Sequence, residues 1–173
     1  ETGWHEGPER RWLWIAATPW VCVFLLLATR GAAGAKQLLD VAYAGIVGSD
    51  RWAAYNWLNR ARRQLCWAHL RRDFQALVDR GDASARLGEA LLAQVHQLFE
   101  LWYRVRDGTL GRPEFQVAAS PIQDQVHALL QEGTSLSHPK TRHLCQNLLK
   151  LEPSLWTFIT IEGVEPTNNS AER

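Results

Sequence analysis

The spacing of apolar residues changes along the chain and separates a first half of strands and helices from a second half of helices alone. Apolar runs at 12–17 and 20–28 flank Thr18 and Pro19, which suits two adjacent antiparallel strands with the proline at the turn. The second run is continuous, so we interpret it as a strand buried on both faces. At 84–106 apolar residues recur every three or four positions, which predicts a long amphipathic helix.

Shorter elements are predicted between and after these segments. In the second half, Ser120, Pro121 and Gln123 form a capping box that predicts the start of a helix, and Gly133 predicts its end. The remaining predicted elements are helices at 35–43, 53–58, 69–78, 141–151 and 154–160 and brief strands at 45–48 and 64–66. The order favours an α/β fold whose second half is a helical segment at about 82–160.

Composition limits the class of protein. A chain of 173 residues with 46% hydrophobic content is long enough for one domain with its own core. The apolar run that stops at Arg30 is shorter than the roughly 18 residues that span a bilayer, and no charged leader precedes an apolar stretch. We therefore expect a cytoplasmic protein without a membrane segment. Cys22, Cys66 and Cys145 are odd in number and widely spaced, so we expect free thiols in a reducing compartment.

Positive charge is concentrated in one segment, although the formal net charge of the chain is only +1. Residues 51–80 contain seven arginines against Asp73 and Asp79, a local net charge of 7 − 2 = +5. A solvated basic face and a surface for a polyanion are both consistent with this cluster. Within it, Arg62, Arg63, Arg71 and Arg72 flank Cys66 and His69, and their guanidinium groups are suited to phosphate oxygens.

The candidate chemical groups each have a structural alternative. Asp50 follows a predicted strand and is either a carboxylate ligand or a helix cap. Glu172 lies three residues after Asn169 and is either a ligand or the partner in a capping box. Cys66 and His69 have half of a zinc-site spacing, but His138, His143 and Cys145 are a poor second half, so we do not expect zinc. From the residues alone, Cys66 and His69 are consistent with a buried, hydrogen-bonded pair that packs against the sheet.

The nine tryptophans fall into two groups. Those in apolar patterns are predicted to be core residues, namely Trp12, Trp14, Trp20, Trp57 and Trp102. Trp4, Trp52 and Trp67 adjoin the candidate chemical groups, where stacking on an unpaired base is a further possibility.

Three short blocks carry a specific resemblance. They are SDRWAAY at 49–55, RQLCWAHLRRDF at 63–74 and TNNSAER at 167–173. In this order they resemble the catalytic region of the insertion sequence 66 family of bacterial DDE transposases. The resemblance implies one ribonuclease H-like domain over 1–173, a mixed sheet with flanking helices and a large helical insertion before the last catalytic helix. It also implies that Asp50 and Glu172 hold two Mg²⁺ or Mn²⁺ ions. It further implies that His69 lies beside them, where it contacts the scissile phosphate or orients a ligand.

The same resemblance implies metal-dependent DNA strand cleavage and strand transfer during transposition of an insertion sequence. The implied partners are transposon-end and target DNA, a second copy of the transposase, and accessory proteins of the element. In the family the first catalytic aspartate directly precedes a segment like Glu1-Thr2-Gly3-Trp4, with which this sequence opens. We therefore expect these 173 residues to be inactive alone. The alternative is a non-catalytic helical domain from a decayed transposase that binds nucleic acid or another protein.

Overall fold

The first sheet has three antiparallel strands in the order β1-β2-β3. In the computed structural model, which describes residues 1–172 apart from the side chains of Glu6, Ser170 and Glu172, these strands are β1 (Thr2–Glu6), β2 (Glu9–Ala17) and β3 (Cys22–Leu27). The predicted pairing of the two apolar runs is confirmed, while β1 was not predicted. The turn is held by Thr18, whose hydroxyl oxygen accepts from the N–H groups of Trp20 (3.3 Å) and Val21 (3.0 Å).

The interpretation of β3 as a strand buried on both faces is wrong. Trp20, at the turn before it, is 88% exposed, and Phe24 is 60% exposed. The strand lies at the edge of its sheet, and the small core beneath that sheet covers one face only, so alternate side chains remain in solvent. The prediction that Trp20 is a core residue is wrong for the same reason.

The second sheet consists of two short parallel strands, β4 (Val47–Ser49) and β5 (Arg63–Leu65), with Ser49 opposite Leu65. The helix α1 (Ala32–Leu39) lies between β2 and the connection from β4 to β5. Its Gly34 is required by close packing, since an added Cβ would lie 2.7 Å from the Trp14 ring. The strands and helices together confirm the predicted mixed α/β class. Among the described residues no strand pairing joins the two sheets, so a continuous ribonuclease H-like sheet stays a prediction.

The helix predicted at 53–58 is wrong: the structure has only a short 3₁₀ turn at Ala53–Tyr55. In an α-helix the carbonyl of Tyr55 would accept from the N–H of Asn59. It accepts instead from the N–H of Leu58 at 3.0 Å and from the guanidinium of Arg63 at 3.3 Å. A second 3₁₀ turn, Arg60–Arg62, then leads into β5.

The second half is helical, as the spacing predicts. Its helices are α2 (Trp67–Val78), α3 (Ala83–Arg106), α4 (Arg112–Gly133), α5 (Pro139–Lys150) and α6 (Thr157–Thr160), and a 3₁₀ turn at Glu152–Leu155 precedes α6. The apolar positions of α3 are buried as a continuous stripe that includes Leu87, Leu91, Val95, Leu98 and Trp102. The last described element is a short helix, α7 (Asn169–Glu172), which contacts β2. No described helix is long and apolar enough to cross a bilayer.

The predicted helix start at Ser120 is wrong, because α4 begins at Arg112 and contains Pro121 in its interior. Proline removes the hydrogen bond to the carbonyl four residues earlier, which belongs to Val117. Pro121 and Val117 are both exposed, so water can satisfy that carbonyl and the helix continues. The predicted end at Gly133 is confirmed.

Candidate functional site

Asp50 directly follows β4 and is partly buried. Its Oδ1 atom accepts a hydrogen bond of 3.0 Å from the backbone N–H of Trp52, so the carboxylate organises the turn that follows the strand. The carboxylate therefore stabilises a turn and does not cap a helix, since Trp52 is the N-cap residue of the 3₁₀ turn Ala53–Tyr55. A turn held in this way fixes the position of the carboxylate, which a ligand role also requires.

The amino terminus lies against the same turn. The side chain of Glu1 is 3% exposed, and its two carboxylate oxygens accept from Arg30 Nε at 2.9 Å and from the Tyr55 hydroxyl at 3.2 Å. Burial raises the pKa of Tyr55, and the negative charges of Glu1 and Asp50 raise it further. Both carboxylates thus act on one hydroxyl group, although 49 residues separate them in sequence. Sequence analysis missed Tyr55 and Arg30, and the position of Tyr55 within the first block was the available signal.

Arg63 has a different place from the one predicted. Its side chain is buried, at 1% exposure, and its guanidinium donates to Ser49 Oγ (3.0 Å) and to the carbonyls of Asp50 (2.8 Å) and Tyr55 (3.3 Å). Burial lowers the pKa of Arg63 to about 10, and the charge of Asp50 opposes that shift. This corrects the prediction that Arg63 contacts DNA, since a buried guanidinium with these partners has no surface to offer a phosphate. It holds the Asp50 turn instead.

The rest of the second block joins the sheet to the helical half. Gln64 Nε2 and Trp67 Nε1 both donate to the carbonyl of Leu155, at 3.1 Å and 2.9 Å. The amide oxygen of Gln64 accepts from the N–H of Phe158 at 2.8 Å, and the Thr157 hydroxyl donates to the Arg63 carbonyl at 2.7 Å. The side chains of Gln64, Trp67 and Thr157 therefore connect β5 and the start of α2 to the segment that leads into α6.

The third block is held by the second. The N–H of Trp67 donates to the carbonyl of Pro166 at 2.9 Å, and the N–H of Asn168 approaches Cys66 Sγ at 3.4 Å. Asn168 also lies beside Gly48 of β4, where an added Cβ would be 3.9 Å from Asn168 Cβ. All three blocks thus meet at the ends of β4 and β5. Glu172 belongs to α7 by its backbone, while its side chain lies outside the described residues.

The predicted Cys and His residues differ in burial, and His143 is exposed. Cys66 is buried at the start of α2, and His69 is partly buried in the first turn of that helix. Cys145 is in the helical core, where burial raises the pKa of its thiol to about 11. Among the described side chains, no group of three or more His, Cys, Asp or Glu residues is placed to hold a metal ion.

Arg62, Arg71 and Arg72 are exposed. Arg62 donates to the carbonyl of Ala44 at 3.1 Å.

The two acidic residues of the basic segment, Asp73 and Asp79, bind Arg51 and Gln75. Asp73 binds Arg51 through two contacts of 2.6 and 3.2 Å, a hydrogen-bonded pair that raises the pKa of Arg51, and Asp79 accepts from Gln75 at 2.9 Å. The exposed arginines of α2 therefore add positive charge to the surface near the Asp50 turn.

The convergence of the three blocks agrees with a comparison against known protein families. The sequence model described as Transposase IS66 family, a DDE transposase model, matches residues 1–173. The chain belongs to this transposase family. No curated protein and no solved structure matched the chain. Because the family match covers every residue, the helical half is part of the family's architecture as much as the sheets are.

Membership in the transposase family gives the three blocks a common context. The Asp50 turn, the Arg63 network and the Pro166–Asn168 segment lie together because parallel pairing sets β4 beside β5. Within a transposase-family chain, such a cluster is the candidate active site. It is built mainly on backbone carbonyls and buried polar side chains rather than on apolar packing.

Proposed function

We propose that this chain is the catalytic domain of a DDE transposase that carries out metal-dependent DNA strand cleavage and strand transfer. The observation that carries the proposal is the family match over 1–173. It is supported by the placement of Asp50 at the end of β4, on a turn to which Arg63 donates a hydrogen bond, and by the charges of Asp50 and Glu1, which both raise the pKa of Tyr55. Transposon-end and target DNA are the proposed substrates, and a second copy of the chain and accessory proteins of the element are the proposed partners.

Asp50 and Glu172 are the proposed ligands of two Mg²⁺ or Mn²⁺ ions. The donor chemistry fits, since hard divalent cations take carboxylate oxygens, and Asp50 is partly exposed at a fixed turn. When bound, such ions supply an activated oxygen nucleophile and stabilise the leaving oxygen. His69, in the first turn of α2 beside the third block, is proposed to contact the scissile phosphate. Arg62, Arg71 and Arg72 are proposed to contact the DNA backbone without reading its sequence.

We propose that these 173 residues need an aspartate joined before Glu1 in order to cleave DNA, because the family resemblance places the first catalytic aspartate directly before a segment like Glu1-Thr2-Gly3-Trp4. Glu1 is a poor substitute, since both of its carboxylate oxygens already accept from Arg30 and Tyr55. Purified protein incubated with Mn²⁺ and labelled transposon ends should give no nicks. The same assay with an aspartate joined before Glu1 asks whether that carboxylate completes the site. Specific nicking by the unextended chain that Asp50→Ala abolishes would contradict the expectation.

Metal binding tests the ligand assignment separately from cleavage. Titration with Mn²⁺, followed by calorimetry, should show binding that Asp50→Asn weakens at least tenfold. Asp79→Asn is the matched control, because it removes one exposed carboxylate of the same basic segment that already binds Gln75. Equal Mn²⁺ affinity in the wild type and in both variants would remove Asp50 from the proposed metal site.

The second candidate function is a non-catalytic helical domain that binds nucleic acid or a protein. It is favoured by the ion pair of Glu1 with Arg30, which neutralises one carboxylate of the candidate site. This candidate predicts DNA binding that is the same with and without Mn²⁺ and in Asp50→Asn. The catalytic proposal predicts that Mn²⁺ strengthens the binding of transposon ends by the wild type only.

A further inference from the structure

A row of arginine and tryptophan side chains lies beside the Asp50 turn. The Arg30 guanidinium carbon is 4.4 Å from the ring centre of Trp52 and 5.0 Å from that of Trp12, and Arg10 approaches the same Trp12 ring at 4.5 Å. We call these four residues the Arg–Trp row. Each of these is a cation–π contact, in which the positive guanidinium is attracted to the face of the aromatic ring.

The row is joined directly to the candidate site. Arg30 Nε donates to Glu1, and the carbonyl of Arg30 accepts from Trp52 Nε1 at 3.2 Å. The backbone N–H of Trp52 donates to Asp50 Oδ1 at 3.0 Å. Trp52 is thus hydrogen-bonded to the Asp50 carboxylate through its backbone and to Arg30 through its indole ring.

The Trp52 ring is fixed and yet accessible. The side chain is 40% exposed although Arg30 covers part of it, and the indole N–H is hydrogen-bonded, which limits rotation of the ring. Rigid exposed aromatic rings bind nucleobases by stacking, and an adjacent arginine adds attraction for the phosphate. Inside a paired duplex both faces of every base are already stacked, so the ring can stack fully only on an unpaired or displaced base.

We propose that the Arg–Trp row binds an unpaired base of the DNA strand whose phosphate lies at the Asp50 turn, with Trp52 as the stacking residue. This inference rests on the proposed DNA-cleaving function and adds a nucleobase site to it. Trp52 contacts the substrate, while Arg30 is a positioning residue that holds the ring through its carbonyl and its guanidinium. Strand ends opened near the cleaved bond are the DNA form that such a site recognises.

The test compares two labelled DNAs by fluorescence anisotropy: a blunt duplex, and the same duplex with one unpaired 2-aminopurine nucleotide at its end. The wild-type chain should bind the second at least about tenfold more tightly, because one stacked base contributes that much. Trp52→Ala should lose the preference and keep the duplex affinity. Trp52→Phe, which keeps an aromatic ring, should retain most of it.

Trp20→Ala is the matched control, since Trp20 is 88% exposed at the β2–β3 turn and has no part in the row. It should behave as the wild type. The fluorescence of 2-aminopurine should fall when the wild-type protein binds, as a stacked base requires, and this readout does not depend on the folding of any variant. Unchanged 2-aminopurine fluorescence on binding, or a preference that survives Trp52→Ala, would overturn the base site and leave the proposed function intact. Failure to bind either DNA would overturn both.

Discussion

The two cores of this protein are stabilised in different ways. The helical core contains most of the large buried side chains, packed as one continuous apolar cluster from Leu65 to Ile159. The core under the first sheet has five buried apolar residues, namely Trp14, Ala35, Ala54, Tyr55 and Leu58. Around Asp50 the contacts that fix the chain are hydrogen bonds from the Arg63 side chain and from the backbone N–H of Trp52. The candidate site thus depends on polar geometry, whereas the helical half depends on apolar burial.

The difference shows where each region is vulnerable. Removing apolar volume should affect the helical core most, because a cavity there loses contacts on every side. Removing a hydrogen-bond donor should affect the Asp50 turn most, because its carbonyls are left buried without partners. The second block connects the two regions, with Arg63 turned toward Asp50 and with Gln64 and Trp67 turned toward Leu155.

Phe158→Ala should have the largest effect on stability. Phe158 is fully buried, and its ring centre lies 5.4 Å from that of Trp102 and 5.9 Å from that of Phe115. We expect a loss of about 3 to 5 kcal/mol in the free energy of unfolding, measured by urea denaturation. Phe99→Ala is the control, since Phe99 is only partly buried at the margin of the same core. Equal losses in the two variants would contradict a continuous helical core.

Arg63→Met should have the second-largest effect on stability, a loss of about 3 kcal/mol in the free energy of unfolding. The substitution leaves buried oxygens of Ser49, Asp50 and Tyr55 without their hydrogen-bond donor. Arg62→Met is the neighbouring control. Arg62 is exposed and donates to one carbonyl, so its replacement should cost less than about 1 kcal/mol. Urea denaturation of both variants distinguishes the two positions. A loss of under 1 kcal/mol for Arg63→Met would mean that apolar packing alone holds the Asp50 turn.

Arg71→Ala with Arg72→Ala should change DNA binding and leave stability nearly unchanged. Each phosphate contact contributes roughly −0.9 to the slope of log K against log salt. The double variant should therefore reduce the magnitude of that slope by about 2. Anisotropy across a salt series measures it. Arg86→Ala with Arg106→Ala removes the same charge from α3 and should leave the slope unchanged. The reverse result would place the DNA against α3 and not against α2.

The smallest expected effect concerns the pH dependence of Cys145. Its pKa is raised from 9.0 to about 11 in the folded chain, so the buried form is the neutral thiol. A group with a raised pKa stabilises the fold below its unfolded pKa and loses that contribution as pH rises toward the folded pKa. Unfolding free energy should therefore fall between pH 9 and pH 11. Cys145→Ala should reduce that fall, and Cys22→Ala, at an exposed position, should not.

The spacing of apolar residues was sufficient to predict an element that has one apolar face toward the core and one polar face toward solvent. The helix predicted at 84–106 differs from α3 by one residue, because a solvated amphipathic helix has a single apolar stripe that the spacing reveals. The second helical prediction failed at Ser120 because its capping pattern lies on an exposed face where α4 tolerates a proline. The motif blocks predicted the family, and the match over the whole chain confirms it.

The sequence by itself determined the family, the α/β class, the paired strands β2 and β3 and the periodic helices. Only the tertiary structure decided which charged and apolar residues are buried. Arg63 is in a basic segment and Phe24 is in an apolar run, yet Arg63 is buried and Phe24 is exposed. Burial depends on elements that arrive from distant parts of the chain. β4 pairs beside Arg63 and supplies carbonyl partners for its charge, whereas the outer face of β3 lies outside the small core beneath its sheet.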